Sequence, residues 1–193
     1  MFPLFETIKI KHQKVLLFED HLARMKHSIK ALSGRDLHIE LNEKIILQAI
    51  KNDDLFKCRI LYNDQEYQVE ISRYQKRHIE KIVFIHDDDI SYPLKFTEKN
   101  CFLKHTKNLS ATTEPIFVVE GYLTDSSYSN IALWNGNEWH TPKEPLFFGV
   151  RRNVLLNENL IVEKDISIND MHQYQKISFI NAMLDLEELE INL

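Results

Sequence analysis

Seven consecutive residues, Thr124-Asp-Ser-Ser-Tyr-Ser-Asn130, gather one carboxylate, four aliphatic hydroxyls, a phenol and one amide. The apolar run Pro115-Ile-Phe-Val-Val119 precedes them and Ile131-Ala-Leu-Trp134 follows, both with strand composition. Polar side chains wedged between buried strands must find partners or cost about 1–3 kcal/mol each, and those partners are either the chain itself or a polar ligand. Taken alone, Thr-Asp-Ser satisfies turn amides. Glycine narrows any phosphate chemistry. Only Gly34, Gly121, Gly136 and Gly149 occur, and no two lie close enough for a P-loop or a dinucleotide fingerprint. A bound phosphate would therefore be held by arginine, hydroxyls and helix amides. Cys58 and Cys101 are too few for a disulfide framework and too far apart for zinc. The acidic trio Asp87-Asp-Asp89 reads as a solvated loop, so no metal is expected.

Composition sets the wider bounds. The 193 residues are 44% hydrophobic and 27% charged, the profile of a globular protein with one large domain or two small lobes. A net charge of −5, with no long basic run, argues against general nucleic-acid binding. The N-terminus lacks a basic segment followed by an apolar stretch, and no apolar run approaches the roughly 18 residues of a membrane span. Neither a signal peptide nor a membrane partner is expected, and a cytoplasmic location is the simplest reading.

The periodicities then give the elements. Alternation predicts a strand from Phe2 to Ile10, a turn at Lys11-His-Gln-Lys14 and a second strand to Phe18. A helix follows, with Asp20 as its cap, Leu22, Met25, Ile29 and Leu32 inside, and Gly34 as its stop. A second helix is predicted from Asn42 to Lys51, then strands Lys57–Tyr62 and Tyr67–Tyr74 around an Asn63-Asp64 hairpin. This ββααββ order is an α+β lobe with helices on one face of an antiparallel sheet. After a crossover at Arg77–Glu80, a second lobe starts with the strand Lys81–Ile85. It continues with a helix from Thr97 to Asn108, the two strands flanking Thr124–Asn130, an Asn135-Gly136 hairpin and a helix from Arg152 to Asn157. A strand at Leu160–Glu163, a helix near Asn169–Tyr174, a strand Lys176–Asn181 and a helix Met183–Leu189 complete it. The division is residues 1–80, a small α+β lobe, and 81–193, a larger one.

Four blocks in this order carry a resemblance: Phe5-Glu-Thr7 with His21-Leu-Ala-Arg24, Thr124–Ile131, Gly149-Val-Arg-Arg152, and Phe179-Ile-Asn-Ala182. The sequence resembles a short class IV aminotransferase, and looks closest to the short aminodeoxychorismate lyase-like members. The resemblance implies an α+β/α/β protein of fold type IV, with pyridoxal 5′-phosphate in a cleft between two lobes. It also implies a homodimer acting on a small-molecule amine.

The same resemblance distributes roles. The family holds its cofactor on a lysine. Lys95, 30 residues before Asp125 (125 − 95), is preferred over Lys104, which sits inside the predicted helix in a lyase-like Leu103-Lys-His105 context. Asp125 falls where the family places an acid, usually glutamate, against the pyridine nitrogen. Arg24 and the amides of Val150 and Arg151 match the phosphate contacts, although the threonine common in that turn is missing. Ser129 and Asn130 belong to the cofactor turn, and Asn181 matches a position near phosphate or substrate carboxylate. Arg59 would receive a substrate carboxylate or pair with a neighbouring acid. His21 is expected to pack or cap. The implied reaction is conversion of 4-amino-4-deoxychorismate to 4-aminobenzoate and pyruvate. The alternatives are a branched-chain or D-amino-acid transaminase and an inactive binding protein of the same fold.

Overall fold

Alternation governs the first strand. In β1 (Leu4–Lys11) the even positions Leu4, Glu6, Ile8 and Ile10 are fully buried, whereas Thr7, Lys9 and Lys11 reach solvent. The computed structural model, which describes residues 2–193, folds this chain into two compact units.

The first unit comprises the chain up to Lys76 together with Leu94–Glu98. His12 and Gln13 adopt φ 50° and 55°, and this tight turn leads β1 into β2 (Lys14–Val15). β1 pairs on its other side with β3 (Phe56–Tyr62), which pairs with β4 (Tyr67–Arg73), giving the antiparallel order β2-β1-β3-β4. Helix α1 (Phe18–Ser33) covers one face, packing Phe18, Met25 and Ile29 against Leu4, Ile8, Ile10, Cys58 and Ile60. Gly34 ends it in the left-handed region at φ 71°, its N–H donating to the Lys30 carbonyl. The expected Asp20 cap is not used. The helix begins at Phe18 after Leu17 at φ 55°, and Asp20 lies in the first turn, where its charge suits the dipole. The second helix is shorter than the pattern suggests: α2 covers Glu43–Leu47, capped by the Asn42 side chain accepting from Ile45 N at 3.1 Å.

Because β2 meets only Ile10 and Lys11, the Leu4 end of β1 keeps an open edge. Leu94–Glu98 occupies it. Leu4 bridges Phe96, Phe5 N donates to the Lys95 carbonyl at 3.0 Å, and Thr97 N donates to the Pro3 carbonyl at 2.8 Å. This pairing gives the segment to the first unit, which otherwise ends at Lys76 rather than at residue 80.

The second unit comprises Arg77–Pro93 and Lys99–Leu193. β5 (Lys81–His86), β6 (Thr113–Val119) and β7 (Tyr122–Ser126) form a three-stranded sheet, β5 and β6 being parallel. Between β5 and β6 lies α3 (Asn100–Thr106), two turns rather than the longer helix predicted. β8 (Asn130–Trp134) and β9 (Trp139–Pro142) form the hairpin at Asn135-Gly136, where Asn135 Oδ1 accepts from the amides of Asn137 and Glu138. α4 (Val150–Asn157), β10 (Val162–Lys164), a 3-10 turn (Ile168–Gln173) and β11 (Lys176–Ile180) follow. The expected helix over Met183–Leu189 is absent. Asn181 Oδ1 accepts from the amides of Met183 and Leu184, favouring a turn. The chain then pairs as β12 (Glu190–Asn192) with β11. The resulting sheet has the order β10-β9-β8-β11-β12. Among the described residues no helix is long and apolar enough to cross a membrane.

Candidate functional site

In the second unit the polar segment Thr124–Asn130, which starts inside β7, is tied down residue by residue. Thr124 Oγ1 donates to the Phe117 carbonyl at 3.0 Å, and Ser126 Oγ lies 2.8 Å from Ser129 Oγ. Asp125 is 3% exposed. Its Oδ1 accepts from Asn130 Nδ2 at 2.8 Å and its Oδ2 from the Phe147 amide at 2.9 Å. Burial pushes this carboxyl up to about 7. The hydrogen bonds from Asn130 and the Phe147 and Leu146 amides, and the charge of Arg152, pull against that rise.

Asn130 joins this carboxylate to the start of α4. Its Nδ2 also donates to the Phe147 carbonyl at 2.7 Å, and a Cβ placed on Gly149 would lie 2.1 Å from its Oδ1. Gly149 has an ordinary φ of −74°, so what requires glycine here is close approach rather than backbone freedom. Val150 and Arg151 open α4, which has no side-chain cap. Its first amides therefore present positive potential at the segment that holds Asp125. The Arg151 guanidinium pairs with Asp185, at 2.9 Å from Nε and 2.6 Å from Nη2. Asn130 registers against Ile180 across β8 and β11, which puts Asn181 one residue beyond. Asp125, Ser129, Asn130, Val150 and Asn181 thus form one neighbourhood.

The first unit holds Arg24, Arg59 and Lys95. The Lys95 ammonium and the Arg59 guanidinium each lie 4.8 Å from the centroid of the Phe5 ring. Arg59 Nη1 also reaches Glu70 Oε2 at 3.4 Å. Arg24 belongs to the opposite face of the sheet, where Glu6 turns inward. Its Nε and Nη2 donate to Glu6 Oε1 and Oε2 at 2.8 and 2.6 Å, while His21 Nδ1 donates to Oε2 at 2.9 Å. Burial alone would raise the Glu6 carboxyl, but the charge of Arg24 and the hydrogen bonds from His21 and Arg24 outweigh it and bring the pKa to about 2. His21 therefore packs against an acid. Lys104, the rival lysine, is half exposed and pairs with Asp87 Oδ2 at 2.6 Å, as does His105 at 2.7 Å.

Several residues of these clusters carry no role in the sequence reading. Glu6 is one, although its phase among Leu4, Ile8 and Ile10 marks an acid pointing into the core. Buried Arg152, whose Nη2 donates to the Pro142 carbonyl and Glu163, is another. Glu114 and Lys99 complete the set. Glu114 Oε1 accepts from Ser127 N and Oγ, and Lys99 Nζ donates to the Ser127 carbonyl at 3.3 Å. No sequence signal ties Lys99 to that carbonyl.

Comparison with known proteins identifies the family. The sequence profile of the class IV aminotransferases matches residues 3–186. An uncharacterised protein of Haemophilus influenzae is 31% identical over 185 residues, covering 95% of this chain and 98% of that protein. A crystal structure from Haemophilus somnus 129PT, provisionally assigned as a 4-amino-4-deoxychorismate lyase, superposes with TM-score 0.85 at 31% identity, covering 96% of this chain and 98% of that one. A Mesorhizobium loti protein, provisionally assigned as an amino-acid aminotransferase, shares the fold at TM-score 0.77 and 18% identity over 96% and 97% of the two chains. The chain belongs to the class IV aminotransferase family, the fold type IV enzymes whose cofactor is pyridoxal 5′-phosphate.

Proposed function

We propose that this protein is a pyridoxal-phosphate-dependent lyase that converts 4-amino-4-deoxychorismate to 4-aminobenzoate and pyruvate. The observation that carries this reading is the 31% identity, over nearly the full length of both chains, to the Haemophilus somnus protein provisionally assigned as a 4-amino-4-deoxychorismate lyase.

The residues fit the cofactor. A carboxylate that is buried, pinned by two donors and pushed up to about 7 suits a hydrogen bond to a pyridine nitrogen, because a proton is shared best between groups of similar basicity. Gly149 lets Asn130 pack against the start of α4, whose first amides carry no side-chain cap and suit an anion. In this reading Lys95 holds the cofactor. Arg24, oriented by Glu6, and the amides of Val150 and Arg151 hold its phosphate. Ser129, Asn130 and Asn181 line it, and Arg59 receives a substrate carboxylate.

Bound pyridoxal phosphate supplies an electron sink for the pair left at the substrate carbon that bears the amine. Lys95, freed when the substrate amine takes its place on the cofactor, would take the proton from that carbon. The electrons then break the ether bond to the enol-pyruvyl group, which leaves and takes up a proton to become pyruvate, while the ring becomes aromatic. Asp125 would hold a proton on the ring nitrogen. The working unit is proposed to be a homodimer in the cytoplasm, its mass measurable by light scattering.

The breadth of the family favours one second reading, a transaminase. Two incubations separate them. Pyruvate and 4-aminobenzoate released from aminodeoxychorismate support the lyase. No product there, with glutamate formed from an amino acid and 2-oxoglutarate, supports the transaminase. Borohydride should fix the cofactor to the peptide bearing Lys95 and not to that bearing Lys104, and purified protein that stays colourless with added cofactor would overturn both readings.

A further inference from the structure

One buried acid has no part in the proposed reaction. Glu114, the second residue of β6, is 1% exposed and registers against Ile82 of β5. Its Oε1 accepts twice from a single residue, from Ser127 N at 2.9 Å and from Ser127 Oγ. Its Oε2 accepts from Arg77 Nη1 at 2.9 Å. Arg77 in turn lays its guanidinium 4.5 Å from the centroid of the Tyr128 ring. Ser127 and Tyr128 lie within the segment between Asp125 and Asn130, so Glu114 grips the middle of the stretch whose two ends are bonded to each other.

A buried carboxylate is costly to hold in a core, and burial does raise this one, against the opposing effect of Ser127 and Arg77. An apolar residue would fill β6 at less cost unless the acid has a task. Its geometry defines that task. The backbone between β7 and β8 has no ladder partner for the Ser127 amide, and Glu114 supplies it while the Ser127 hydroxyl doubles the contact. Lys99, donating to the Ser127 carbonyl, fixes the next peptide unit, between Ser127 and Tyr128.

We propose that Glu114 is a positioning residue for pyridoxal phosphate: through Ser127, and through Arg77 on Tyr128, it fixes the segment from Asp125 to Asn130 in the conformation that receives the cofactor. The proposal rests on the assignment of Asp125, Ser129 and Asn130 to the cofactor. Glu114 touches no cofactor atom in this scheme and acts only through the segment it holds.

The test is cofactor affinity, measured by absorbance titration of the cofactor-free full-length chain, alongside melting temperature. E114A should weaken binding by at least 10-fold. E114Q, which retains an acceptor for the Ser127 amide, should weaken it by less than 3-fold. S127A should weaken it about 3-fold in the native background and have no further effect on top of E114A, since partners in one contact are not additive. Should E114A not fold, S127A and E114Q carry the test through the combined E114Q/S127A variant. In it the loss should again fall short of the product of the two single losses. The proposal is overturned if the native chain binds the cofactor and E114A binds it within 2-fold, or if the S127A and Glu114 effects simply multiply. It is also overturned if E114Q loses affinity and melting temperature as far as E114A does. If the native chain itself binds no pyridoxal phosphate, the functional reading fails first, and the two failures are thereby told apart.

Discussion

Arg24 sets its Nε and Nη2 against the two oxygens of Glu6, at 2.8 and 2.6 Å, inside a strand face that is otherwise aliphatic. Removing one member of such a buried pair leaves the other uncompensated, at about 3–5 kcal/mol. E6Q should therefore lower stability by that amount at pH 7. The folded-state pKa of about 2 lies below the ordinary 4.5. The charged form thus contributes about 3 kcal/mol above pH 4.5, lost as pH falls toward 2. Urea midpoints for the native chain should decline across that window, and those of E6Q should be lower at pH 7 and decline less. Equal midpoints for the two proteins at pH 7 would refute the clamp.

Asp125 has the opposite sign. Its folded-state pKa of about 7 exceeds the ordinary 3.8, so the folded chain holds a proton that the unfolded chain has lost. Stability from this group is greatest below about pH 4 and falls by on the order of 4 kcal/mol as pH rises to about 7, then levels off. D125N should remove that slope while also weakening cofactor binding. Chemical denaturation of the cofactor-free chain between pH 4 and 8 measures it, and an unchanged slope in D125N would assign the proton to another group.

Gly149 offers a test with little backbone ambiguity, because its φ of −74° is open to any residue. G149A places a methyl 2.1 Å from Asn130 Oδ1, which must move and loosen its grip on Asp125. Overpacking of this kind costs about 1–3 kcal/mol. N130A removes the obstacle, so G149A/N130A should be no less stable than N130A alone. A double variant showing the sum of both losses would place the clash elsewhere.

The strands, the Gly34 stop and the acid at position 125 were legible because each has a local signature: alternation, a residue suited to positive φ, and a polar knot between apolar runs. What the sequence hid was competition between side chain and backbone. Asn181 captures two amides and turns Met183–Leu189 away from a helix that its apolar spacing favours. Leu94–Glu98 joins the first unit because a β1 edge 90 residues earlier in the chain (94 − 4) is left open. No local window contains that edge. The roles of Glu6 and Glu114 are hidden for a related reason: strand phase can mark an acid as facing the core, as it does for Glu6, but the partner that holds it, Arg24 or Ser127, lies outside any local window.

Arg59 separates stability from function. Its ion pair with Glu70 is long, at 3.4 Å, and both side chains are partly exposed, so it contributes about 0–1 kcal/mol. R59A should therefore leave the urea midpoint nearly unchanged. If Arg59 receives the substrate carboxylate, the same variant loses a charge-assisted contact, worth about 1.5–3 kcal/mol. KM should then rise roughly 10- to 100-fold, with kcat altered much less, because the contact is made equally before and during reaction. K95A should give the complementary result, an unchanged midpoint with no turnover at any substrate concentration. An R59A enzyme with native KM would limit Arg59 to its contacts with Phe5 and Glu70.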